Sequence, residues 1–276
     1  MRNRLRVAAL VIAVLVMACG PNIGDPDGQD PNGNQPDGGS PNIRPDGAPP
    51  ALEAAVYAHS STQLYRVDPE TLEVSLVGNF QWPLVADEMT DIALDKDGNM
   101  TGISFSRVYS VDKDTAECTY LSDLITQFNG LSWVPANSPD PNAPEILVGA
   151  ANNGQVVEIN PGTGAQTTIG AYGGLWGSSG DMVAVRDFGI LATVTDGIGT
   201  DRLASIDPTT WQATIIGDTG VGQIWGLGFW KNQVYGFTDT RQFVLIDVNT
   251  GVATPVETGA VNWWGAGVTT SAPVVD

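Results

Sequence analysis

Two aspartates hold the positions best suited to chemistry in this chain. Asp91 in "TDIAL" and Asp181 in "GDMVA" begin two apolar strand-like segments of the same pattern. Glu88 lies three residues before the first of them. Paired carboxylates are what acid/base cleavage of a glycosidic bond requires, so Asp91, Asp181 and Glu88 are the candidate catalytic groups. The competing reading is structural: a carboxylate at a strand start accepts backbone N–H bonds. A second set is aromatic. Trp82, Trp176, Trp225 and Trp263, with Asp87, lie in connections that lead into these apolar segments. Indole faces stack on sugar rings or apolar side chains, which makes these five residues the candidate ligand-binding set. The repeated Trp-Gly pairs at 176–177, 225–226 and 264–265 also suit packing wedges between repeated units.

Other chemistries find little material. There is one His, His59, and there are two Cys, 19 and 118, with no clustering, so neither a zinc site nor a Cys-His nucleophile is expected. Cys118 in "AECTYL" reads as a small buried strand residue. "ALDKDGN" at 93–99 carries the Asp-x-Asp-Gly of a calcium loop but lacks the downstream bidentate Glu, and is read as a hairpin turn. No cofactor or metal is assigned.

These residues must be positioned by β structure. Charged residues are 16% of the chain, Gly and Pro are abundant, and no long segment shows helical apolar spacing. One string recurs five times: "VDPETLEVSLVG" (67–78), "VDKDTAECTYLS" (111–122), "INPGTGAQTTIG" (159–170), "IDPTTWQATIIG" (206–217) and "IDVNTGVATPVE" (246–257). The Asp/Asn positions 68, 112, 160, 207 and 247 are 44, 48, 47 and 40 residues apart. Asp or Asn followed by Pro initiates a type I turn, and Gly164 and Gly251 supply a left-handed residue before the second strand. Two further strand patterns repeat in step, giving four strands per unit, labelled A to D outward. Four strands per period of this length predict an all-β chain, a β-propeller of five four-stranded antiparallel blades over 52–276. The first blade lacks an A strand near its own sequence, and "WGAGV" (264–268) at the C-terminus is left to close it. This region resembles bacterial propeller domains of DPxTG-type, NHL- or YVTN-like repeats. That resemblance implies a fold common in exported proteins and no particular activity. The D–A and B–C loops gather at one end of such a channel, so the aromatic connections and "TDGIGTDR" (195–202) should wall its mouth.

The N-terminal residues read as a targeting device. Arg2, Arg4 and Arg6 precede the apolar run 7–17, which is of secretory length and short for a bilayer span. It ends in Val16-Met17-Ala18-Cys19, which resembles a bacterial lipobox. The resemblance implies that 1–18 are a signal peptide and that Cys19 carries fatty acyl chains such as palmitate, enough for stable anchoring. Gly20 is not the Asp associated with inner-membrane retention, which favours the outer membrane or cell surface. Residues 19–51, with Pro at 21, 26, 31, 36 and 41, read as an extended Pro/Gly/Asp-rich tether. The formal net charge is −19, and loss of 1–18 brings it to about −22. Such a chain repels nucleic acid and anionic lipid heads. The expected protein is a monomeric, lipid-anchored binding or interaction module of the bacterial cell envelope that takes a glycan or an envelope protein at the propeller mouth. A glycan hydrolase or lyase using the inner carboxylates, and a scaffold without a small-molecule site, are the alternatives.

Overall fold

The structure is a computed structural model and describes residues 55–275, apart from 137, 139 and 141. The signal-peptide, Cys19 and tether readings lie outside the described residues. Twenty strands form five separate four-stranded sheets. Blade 1 contains β1 (Val56–His59), β2 (Gln63–Val67) and β3 (Val74–Asn79). Blade 2 is β4 (Met89–Leu94), β5 (Met100–Ser104), β6 (Arg107–Val111) and β7 (Cys118–Asp123). Blade 3 is β8 (Gly130–Val134), β9 (Ile146–Ala150), β10 (Gln155–Ile159) and β11 (Gln166–Ala171). Blade 4 is β12 (Gly177–Val185), β13 (Gly189–Thr195), β14 (Arg202–Ile206) and β15 (Ala213–Asp218). Blade 5 is β16 (Ile224–Trp230), β17 (Gln233–Thr238), β18 (Gln242–Ile246) and β19 (Ala253–Thr258). The last strand, β20 (Gly265–Gly267), joins blade 1 as its innermost member, in the order β20-β1-β2-β3. Tyr57, Ala58 and His59 of β1 pair antiparallel with Gly267, Ala266 and Gly265. The architecture is the five-bladed β-propeller expected, closed by the C-terminal strand.

Burial falls from the axis outward. The B strands β1, β5 and β9 are almost wholly buried, whereas β19 exposes five of its six residues. The apolar residues of one blade therefore pack on the next, and the core lies between blades. Between blades 5 and 1, Val56 and Val67 join Phe229, Phe237, Phe243 and Trp263. Phe237 stacks on Phe243 at 4.9 Å and meets Trp263 edge-on at 5.3 Å.

The recurring string now has a physical explanation at both ends. At its start, the Asp68, Asp112, Asp207 and Asp247 carboxylates and the Asn160 amide oxygen each accept N–H bonds from the two residues that follow the turn's second position. The residue after Thr is left-handed in all five turns: Leu72, Ala116, Gly164, Trp211 and Gly251. Only two of them are glycine. Three blades therefore hold a side chain in a conformation that costs L-residues about 1–2 kcal/mol, held there by the two bonds to the Asp. At the end of the string, every C–D ladder shifts register by one residue, skipping Val77, Leu121, Ile169, Ile216 and Val256. A bulge increases twist. The residue after it faces the next blade's turn: Gly78 meets Thr115, Gly170 meets Trp211 and Gly217 meets Thr250. In blade 2 that place is Ser122, whose hydroxyl donates to Pro161 O at 2.8 Å.

Gly217 leaves no room for a side chain, because a Cβ there would stand 1.9 Å from the carbonyl oxygen of Thr250. The neighbouring atom is backbone, so blades 4 and 5 would have to separate. Gly217→Ala is expected to cost about 1–3 kcal/mol in urea unfolding. An unchanged midpoint would show that the blades do not dock through these turns.

Candidate functional site

The inner strands start with two stacked rings of residues, one residue from each blade in each ring. The deeper ring is Asp91, Gly130, Asp181, Gly226 and Gly265. The ring above it is Thr90, Asn129, Gly180, Trp225 and Trp264. The upper ring faces a cavity of about 320 Å³ at the channel mouth, completed by Phe105, Phe128 and Asn152 from neighbouring loops. That volume lies at the low end of small-ligand sites. Backbone irregularity aims two of these side chains. The A–B ladder skips Thr90 in blade 2 and Trp225 in blade 5, which are therefore bulge residues turned out of the pleat.

The wall is aromatic and amide-lined. Trp225 and Trp264 are half-buried and meet edge to face at 6.2 Å and 85°. Phe105 touches Trp264 at 6.2 Å. Asn129 Nδ2 donates to Asn152 Oδ1 and lies 3.5 Å from Ser178 O. Thr90 Oγ1 donates to Ile103 O at 3.1 Å, which leaves its lone pairs for a ligand. No side chain in this wall is ionisable.

The deeper ring is sealed. Asp91, Asp181 and His59 are all fully buried. Asp181 Oδ1 accepts from Met182 N at 2.6 Å, and Oδ2 accepts from Leu227 N at 2.6 Å. Asp91 Oδ1 accepts from Ile92 N at 2.8 Å. These N–H groups point into the channel because the inner strands have no further neighbour there. The Asp91 carboxyl and the His59 ring fill space that Gly265 leaves open: a Cβ there would stand 2.3 Å from His59 Nε2 and 2.5 Å from Asp91 Oδ1. Burial raises both aspartates well above the usual carboxylate range, and for Asp91 the facing Asp181 carboxyl adds to it. His59 donates from Nδ1 to Ser60 O at 2.9 Å. Its Nε2 lies 4.0 Å from Asp91 Oδ1, and burial lowers its pKa to about 4, so the ring is neutral.

The sequence candidates thus part company. Asp91 and Asp181 come together beneath the mouth, and Glu88 stays exposed on the surface. Trp225 lines the cavity. Trp263 is buried against Tyr65 and Phe237. Trp82 packs between Phe80 and Tyr109. Trp176 lies under the Arg202 guanidinium at 5.2 Å. Asp87 accepts from Tyr109 Oη at 2.8 Å and Arg107 Nη1 at 3.0 Å. Partial burial would raise the pKa of Asp87, but hydrogen bonds from Tyr109, Ser104, Glu88 N and Arg107 prevail and hold it low. In the 195–202 loop, Arg202 lies 3.7 Å from Asp196, and Asp201 Oδ2 accepts from Ile224 N at 2.8 Å. Asp95 of the 93–99 turn accepts from Asp97 N and Asn99 N through Oδ1 and from Asn99 Nδ2 through Oδ2, so its oxygens close the turn. Cys118 is buried, and burial pushes its thiol up to about 12. Sequence reading missed Asn129, Asn152, Phe105 and Thr90. For Thr90 and Asn129 the signal was present: each immediately precedes the Asp/Gly ring position of its repeat.

No known family profile matches the chain, and no curated protein does. Solved structures do, at low similarity. An oligogalacturonate lyase in complex with manganese is 14% identical over 74% of this chain and 62% of its own, with a TM-score of 0.39. BamB from Moraxella catarrhalis is 15% identical over 73% and 61%, with a TM-score of 0.37. An auxiliary nutrient binding protein from Bacteroides thetaiotaomicron is 14% identical over 75% and 55%, with a TM-score of 0.46. This chain therefore spans less than two thirds of each of these three proteins.

Proposed function

We propose that the chain is a lipid-anchored binding module of the bacterial cell envelope, held on the tether of residues 19–51, with a glycan ring as the ligand of its mouth. The observation that carries this reading is the cavity ringed by Trp225, Trp264, Phe105 and Phe128. Aromatic faces beside amide and hydroxyl groups are the combination that holds a ring with apolar faces and polar edges. A hydrolase or lyase built on Asp91 and Asp181 gains no support from the geometry. A general acid must reach its substrate, whereas both carboxyls are fully buried and held by backbone N–H groups.

Two measurements test the proposal. Titration of residues 51–276 with a panel of oligosaccharides should quench tryptophan fluorescence saturably, and Trp225→Ala should weaken that binding about tenfold. Silence across the panel would refute the glycan reading. Cys19→Ser in the full chain should move the protein from the membrane to the soluble fraction, since stable anchoring rests on the acyl chains. Unchanged membrane partition would refute the anchor.

A further inference from the structure

We infer that the mouth selects an uncharged sugar ring through a vicinal diol, read by the Asn129–Asn152 amide pair. This rests on the glycan reading above and narrows it to one class. The two amides are already paired, Asn129 Nδ2 donating to Asn152 Oδ1. What remains for a ligand is complementary: Asn129 Oδ1 accepts and Asn152 Nδ2 donates. Each hydroxyl of a vicinal diol can both donate and accept, so two neighbouring hydroxyls fit this adjacent acceptor and donor. Thr90 Oγ1, its own proton committed to Ile103 O, adds an acceptor from the neighbouring blade.

The charge class follows from what the wall lacks. A uronate carboxylate entering the cavity would lose water and find no Lys or Arg in the wall. The whole chain also carries −19, which opposes the approach of a polyanion. A cationic amine would find aromatic faces but no carboxylate in the wall, and the Asn152 N–H₂ would point its protons at it. A neutral ring avoids both penalties, stacks on Trp225 or Trp264, and offers its hydroxyls to the amides.

The test compares three charge classes of oligosaccharide of equal length by calorimetry: neutral gluco-oligosaccharides and manno-oligosaccharides, oligogalacturonate, and chitosan oligomers. At least one neutral series should bind, with the uronate and amino-sugar oligomers tenfold or more weaker at 0.15 M salt. Asn152→Leu, at an exposed position that leaves the fold intact, should weaken the neutral ligand about tenfold and leave the thermal midpoint unchanged. Oligogalacturonate or chitosan binding as tightly as the neutral probes would overturn the charge selection while leaving mouth binding standing. Full neutral affinity in Asn152→Leu would overturn the diol contact. If no oligosaccharide of any class binds, both this inference and the glycan reading fall together.

Discussion

Deletion of residues 263–276 is expected to abolish cooperative folding of the domain. The deletion removes β20, whose three residues complete blade 1 next to the channel. It also removes Trp263, which is 5% exposed and packs on Tyr65 and Phe237. Loss of a buried Trp alone costs about 3–5 kcal/mol, a large part of the roughly 5–15 kcal/mol by which a domain is stable. Beyond that, β1 would become an unpaired edge facing the inner strands of its neighbours. The Thr269 Oγ1 bond to Asp95 O and the Thr270 Oγ1 bond to Glu145, which fasten the C-terminus to other blades, would go as well. The check is urea unfolding followed by tryptophan fluorescence, with near-ultraviolet circular dichroism for native packing. A truncated domain that unfolds within about 1 kcal/mol of the intact one would show that the closing strand is dispensable.

Asp181→Ala should be the most damaging single substitution in the channel. It strands the N–H groups of Met182 and Leu227, both buried. Each stranded group costs about 1–3 kcal/mol, so the expected loss is about 2–6 kcal/mol. Asp181→Asn keeps one acceptor oxygen and should cost less. A near-neutral Asp181→Ala would mean that the inner N–H groups find other partners.

The same pair predicts a pH dependence with a definite sign. Asp91 and Asp181 are raised in the folded state, so their contribution is fully present below pH ~3.8 and is lost as pH rises towards their folded values. His59 is lowered to about 4, so its contribution is present above pH ~6.5 and is lost as pH falls towards 4. The two effects oppose each other between pH 4 and 6.5. Asp91→Asn keeps the histidine but disrupts the pair. The stability of the wild type relative to Asp91→Asn should therefore fall as pH rises, by at most about 1.4 kcal/mol per unit for each proton released. A constant difference across that range would refute the coupling.

Much of this was legible from the repeats, because each blade uses the same turn chemistry. The Asp-Pro turns, the four-strand unit and the borrowed strand "WGAGV" follow from local pattern and from counting strands. The left-handed turn residue was legible only at Gly164 and Gly251, since Leu72, Ala116 and Trp211 adopt it against their own preference. The tryptophans were not separable by type. Trp263 and Trp264 are adjacent, and in extended chain neighbours point to opposite sides. One side is the seam between blades and the other is the mouth. Register decides between them, and it is set by bulges such as the one at Trp225, which composition does not reveal. Asp91 and Asp181 looked like an acid/base pair because residue type alone does not report burial. The three glycines at the matching ring positions were the clue that this space is closed.

The placement of β1 also has a mechanical consequence. Any pull on the chain ahead of Val56 enters the domain through a strand bonded on both sides, by four residue pairs to β2 and three to β20. A load along that strand is shared by two ladders in shear, so their bonds must yield together. A pull on an outer strand such as β19, bonded on one side only, would instead peel its ladder one bond at a time. The fold thus takes tension at its innermost seam, where the first and last strands of the propeller lock each other in place.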